Sequence, residues 1–152
     1  MSALRSRRAL GVLCVIIIGG GVALVRAYQW RTENARAELG RRLYADRCAS
    51  CHGTNLQGEP DWQTPKPNGR MPAPPHDASG HTWHHSDHEL FQITKFGMAA
   101  VVPGDASDMP AFGGALSDRE IHAVLAFIKS TWPEREREYQ ENRTKDAGRR
   151  QR

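Results

Sequence analysis

Cysteine is scarce in this 152-residue chain. There are three, and Cys14 lies inside an apolar run, so a disulfide framework has only Cys48 and Cys51 to draw on. No second cysteine pair is present, which leaves a zinc site short of ligands, and no βαβ pattern surrounds the pair, which argues against a thioredoxin-type dithiol. A Ser-His-Asp set, a phosphate loop and internal repeats are all missing, so no independent catalytic centre is legible. Acidic residues are absent from residues 1–27, which carry Arg5, Arg7, Arg8 and Arg26. Residues 28–132 hold ten basic and twelve acidic groups and residues 133–152 hold seven and five, so the net charge of +4 comes from the two ends. With no basic stripe on a folded element, nucleic acid is not an expected partner.

What the first segment does contain is a membrane signal. Arg5, Arg7 and Arg8 precede an uninterrupted apolar run from Ala9 to Val25. At 1.5 Å per residue that run reaches roughly 26 Å, near the short limit for crossing a bilayer. The leading arginines put that end in the cytoplasm and send the rest of the chain across the membrane. A single-pass inner-membrane anchor over residues 1–27, with the remaining chain in the periplasm, is the expectation. A cleaved signal peptide is the rival, and Arg26 between Val25 and Ala27 weakens it.

Residues 28–132 read as one domain and residues 133–152 as a charged tail, either a solvated helix or disordered. Ala35, Leu39, Leu43 and Tyr44 form a helical stripe over residues 34–47, in which Gly40 points to close approach of another backbone. Ser86-Asp87-His88-Glu89 and Ser117-Asp118-Arg119-Glu120 are capping boxes. The first opens a helix that stops at Gly97, and the second a helix with Ile121, Val124, Leu125 and Ile128 on one face, interrupted at Trp132-Pro133. Between these helices lie long loops rich in Gly and Pro, and loops beyond about 12–15 residues need a reason to be ordered. A large flat cofactor that the loops can wrap supplies one.

Cys48-Ala49-Ser50-Cys51-His52 has the C-x-x-C-H spacing of c-type haem attachment. Two thiols three residues apart on a helical turn reach the two vinyl groups, and the adjacent imidazole of His52 then points at the iron. For the second axial position Met109 is the best candidate, because its loop precedes the last helix and Pro110 stiffens the backbone. Competing thioethers are Met71 and Met98, and competing imidazoles are His76, His81, His84, His85 and His88.

From about Ala35 to Thr131 the chain resembles the class I cytochromes c. The resemblance rests on Gly40 and Tyr44, on Cys48 to Gly53, on Met109-Pro110, and on Leu125-Ala126-Phe127-Ile128 in the last helix. It implies an all-α cytochrome c fold, about three main helices wrapped around one covalently bound haem, here behind an N-terminal transmembrane helix. It also implies that a loop proline offers its carbonyl to the haem histidine. Ala73-Pro74-Pro75 looks like that position, with Pro74 favoured, although His76 stands where the family often has leucine.

Iron with both axial positions filled cannot bind substrate, so the expected function is outer-sphere electron transfer by a membrane-tethered carrier, not an enzyme, with redox proteins as partners. Alternatives are a subunit of a larger dehydrogenase or oxidase, a haem peroxidase or sensor, and a haem-linked copper-handling protein drawing on His81, His84, His85 and His88. For that histidine-rich stretch, contact with a haem propionate is favoured. The indole N–H of Trp83 is a donor there, as are His84 and His85; plain exposure and a copper or zinc site are the other readings.

Overall fold

A computed structural model describes residues 2–98, 101, 102, 104 and 107–150, with side chains described from residue 20 onward. The chain divides into two compact units, Met1–Ala35 and Arg36–Arg152. Helix α1 (Ser2–Arg47) supplies the first unit and its last residues belong to the second. Among the described residues, no helix is long and apolar enough to cross a membrane. The apolar run expected to do so falls mostly in residues 1–19, whose side chains lie outside the described residues.

The regular elements of the second unit are all helices, joined by long loops, with no strand among the described residues. A single turn, α2 (Ala49–His52), comes directly after α1. Helix α3 (Asp87–Phe96) opens on the reciprocal pair of a capping box: Glu89 N donates to Ser86 Oγ at 3.3 Å and Ser86 N donates to Glu89 Oε2 at 2.8 Å. Helix α4 (Asp118–Ser130) opens the same way on Ser117 and Glu120.

The core lies where α4 meets the end of α1. Ile121, Ala123, Val124, Leu125 and Ile128 of α4 are buried, and Tyr44 of α1 sets its ring 5.4 Å from that of Phe127. Gly40 makes the approach possible: a Cβ there would sit 1.8 Å from the carbonyl oxygen of Ala123. Gly40→Val should therefore force the two backbones apart and cost at least the roughly 1–3 kcal/mol typical of overpacking. A denaturant melt of the haem-loaded protein measures it; a midpoint equal to wild type would mean the helices are not in this contact.

The charged tail is α5 (Glu134–Arg150), and its inner face is not solvated. It packs on a 3₁₀ turn, Thr82–His84, with Gln140 fully buried. The Gln140 amide donates to Asp87 Oδ1 at 2.7 Å and to the His85 carbonyl at 3.2 Å, and Arg143 Nε donates to the His84 carbonyl at 3.1 Å. Asp87 also takes Lys129 Nζ at 2.7 Å, so one carboxylate joins α3, α4 and α5.

Candidate haem-binding site

The attachment motif follows directly on the last turn of α1. Cys48 N donates to the Tyr44 carbonyl, and Cys51 N and His52 N donate to the Cys48 carbonyl, so Cys48 and Cys51 stand one turn apart. Cys48 is half-buried and Cys51 exposed, and no disulfide joins them. Burial first, and then Cys51 nearby, pushes the Cys48 thiol up to about 11.

His52 is buried, and its Nδ1 lies 2.8 Å from the Pro74 carbonyl oxygen. A carbonyl can only accept, so Nδ1 carries the proton and Nε2 is left with its lone pair for a metal. Burial lowers the affinity of this ring for a second proton, against the opposing pull of Pro74 and Glu59. Neutral imidazole is the form a metal requires. The loop holding Pro74 is fastened back to the motif. Gly58 N donates to the His52 carbonyl at 2.8 Å, and a Cβ on Gly58 would lie 2.7 Å from the carbonyl carbon of Pro74. Glu59 N donates to the Ala73 carbonyl at 2.9 Å, and Ala73 N donates to Glu59 Oε2 at 2.6 Å. That second bond, followed by Lys66, holds the Glu59 carboxyl below its usual range.

Against His52 lies His76, its ring stacked at 4.0 Å between centroids and 24° between planes. His76 Nδ1 is 2.8 Å from Thr82 Oγ1, and its carbonyl accepts from Trp132 Nε1 at 2.7 Å. Burial above all keeps His76 neutral, with its charge further disfavoured by His52 and His81. A flat ring thus occupies the place where the resemblance implied leucine, and it braces the His52 imidazole on one face.

Among the thioethers, Met109 is half-buried and packs against the core that includes Phe112, whereas Met71 is largely exposed. Met98 is also half-buried. Trp83 is half-buried and touches Tyr139 of α5, ring centroids 5.3 Å apart, but its Nε1–H is buried with no hydrogen-bond partner in the protein. His81 Nδ1, under the ring of Trp62, is in the same position. A buried unpaired donor costs about 1–3 kcal/mol. The Trp83 donor fits a site completed by a carboxylate-bearing group, and a haem brings two carboxylates. His84 and His88 are exposed. Among the described residues, no three of His, Cys, Asp and Glu stand close enough to hold a metal ion, which leaves the copper or zinc reading of the histidine-rich stretch without a ligand set.

His81 and His85 are half-buried, and burial is the main cause lowering both, partly offset at His85 by Glu89. Their unfolded values sit near 6.5. With folded values below that, the unfolded chain binds protons first and stability falls as pH drops below about 6.5. The melting midpoint is expected to decline between pH 7 and 5, and His81→Gln with His85→Gln should make that decline shallower. An unaltered decline would mean these rings are not the groups responsible.

The sequence profile of the cytochrome c family matches residues 37–132, and the chain belongs to that family. Over 66 residues it is 41% identical to proteins described as the cytochrome c subunit of the cytochrome bc1 complex, from Mycobacterium bovis and Mycobacterium tuberculosis. That stretch takes in 38% of this chain and 24% of each relative, so the match spans about a quarter of the length of those curated relatives. No solved structure matches the chain.

Glu59, Thr82 and the inner face of α5 had no signature in the sequence. His76 did have one, as the departure from leucine, but its stacking on His52 is visible only in the fold.

Proposed function

We propose that the chain binds one haem c through thioether links from Cys48 and Cys51, with His52 and Met109 as axial ligands, and serves as an electron carrier. The observation carrying this reading is the C-x-x-C-H turn with His52 Nδ1 engaged by Pro74 at 2.8 Å, which aims a bare Nε2 away from the loop that holds the ring. Haem, when bound, supplies a one-electron ferric–ferrous couple. His52 would hold the metal through Nε2, and the Met109 thioether would favour the reduced state and so raise the potential. Trp83 donates its unpaired N–H to a propionate. Held by both side chains, the iron would leave no open position for substrate, and the chemistry would be electron exchange with a docked partner through a small, weak interface.

The carrier is tethered to the inner membrane by residues 1–27, with the haem domain in the periplasm. Support comes from the apolar run and from Tyr28 and Trp30, 70% and 65% exposed on α1 just beyond it, where aromatic side chains mark a bilayer interface. Likeness to subunits of a cytochrome bc1 complex favours respiratory complexes as partners, and service as a subunit of one is the second reading.

The test is a redox titration of protein purified from membranes. It should show a single reversible one-electron step, and a haem stain should survive a denaturing gel. Stain lost on denaturation would rule out covalent attachment.

A further inference from the structure

Among the described residues of the Met109 loop, the Met109 side chain packs on the core and the rest is held mainly by charge. Val101, Val102, Gly104, Asp108, Pro110 and Ala111 are exposed, and Met109 N reaches only Ser107 Oγ, at 3.1 Å. Regular backbone bonding to another element resumes at Phe112 N, which donates to the Thr94 carbonyl. Immediately before Met109, however, the Asp108 carboxylate receives two cations: Arg70 Nη1 pairs with Oδ1, and Lys66 Nζ lies 3.6 Å from Oδ2. Both cations come from one turn, closed by Lys66 N donating to the Arg70 carbonyl at 2.8 Å. Lys66 Nζ also reaches Glu59 Oε2 at 3.2 Å, the oxygen that accepts from Ala73 N beside Pro74. A chain of polar contacts therefore runs from the backbone N–H of Ala73, the residue before Pro74, through Glu59 and Lys66 to Asp108, next to Met109.

We propose that Lys66 and Arg70 are positioning residues which, by clamping Asp108, set how often the Met109 thioether leaves the iron; this rests on Met109 ligation as proposed above. The four side chains are one-third to one-half exposed, so the expected effect is a few-fold change in rate. Loss of ligation altogether is not expected.

The measurement uses ferric, haem-loaded protein mixed with increasing imidazole. Uptake saturates at the rate of Met109 departure, and the sulfur-to-iron charge-transfer band reports the starting ligation. In Lys66→Gln with Arg70→Gln the band should remain and the saturating rate should rise roughly three- to tenfold. Lys66→Arg with Arg70→Lys, which keeps both charges, should bring the rate back toward wild type. Added salt should speed wild type and leave the double glutamine variant nearly unchanged. A change of equal charge elsewhere, Lys145→Gln with Arg149→Gln on α5, should leave the rate alone. Equal saturating rates in wild type and the glutamine variant, or the same salt response in both, would overturn the clamp while leaving Met109 ligation intact. A wild-type protein without the band would overturn Met109 ligation and the clamp with it.

Discussion

Replacing Cys48 and Cys51 together by Ser is expected to leave no haem on the chain after denaturation and to leave the Arg36–Arg152 unit largely unfolded. The reason lies in how little of the first long loop is packed. Between Gly53 and Gly80 the buried residues are Leu56, Pro72, Pro75 and Gly80 itself, and most others are exposed. Segments of that length stay ordered only around something. Without a covalently held cofactor the Trp83 donor stays unpaired, and the loops that wrap it keep only the helical core of α1, α3, α4 and α5 to pack on. The loss is expected to approach the whole of the roughly 5–15 kcal/mol available to a domain of this size. Far-ultraviolet circular dichroism and a haem stain measure the two effects; retained stain, or a melting curve like that of wild type, would sink the reading.

Met109→Ala carries the second large effect. Removing a thioether ligand should lower the midpoint potential by on the order of 0.1 V or more, within the span of about 0.8 V that axial ligands command. It should also open the ferrous iron to carbon monoxide, because Ala111 and Pro110 bring no ligating atom in its place. Met71→Ala should leave both properties alone, as Met71 is 47% exposed and does not join the packed cluster that Met109 joins. If Met71→Ala or Met98→Ala produced these changes and Met109→Ala did not, the ligand would have been misassigned.

The parts of the fold legible beforehand were those with local causes. Ser86 with Glu89 and Ser117 with Glu120 start α3 and α4 where their short-range hydrogen bonds require, and Gly97 ends α3. Gly40 was readable as a close approach, because a mid-helix glycine has few other uses, although not which carbonyl it meets. The start of α1 was not readable from the stripe over residues 34–47, since the helix continues upstream through residues without that stripe. The docking of α5 was hidden for a different reason: its inner face is polar. Gln140 and Thr144 hold it to Asp87 by hydrogen bonds, which leave no apolar period in the sequence. Glu59 was hidden as well, because its partner is a backbone N–H fourteen residues away and no residue type at that spacing announces such a bond. The attachment motif itself was plain, whereas the way Pro74, Glu59 and His76 fix the ring of His52 required the fold.

The most direct test of the central reading is the absorption spectrum of the purified ferric protein, taken from the visible into the near infrared. A six-coordinate iron held by His52 and Met109 should give a low-spin spectrum with a weak sulfur-to-iron charge-transfer band at the red end, lost when Met109 is replaced. A high-spin spectrum, or a low-spin one without that band in the wild-type protein, would contradict it.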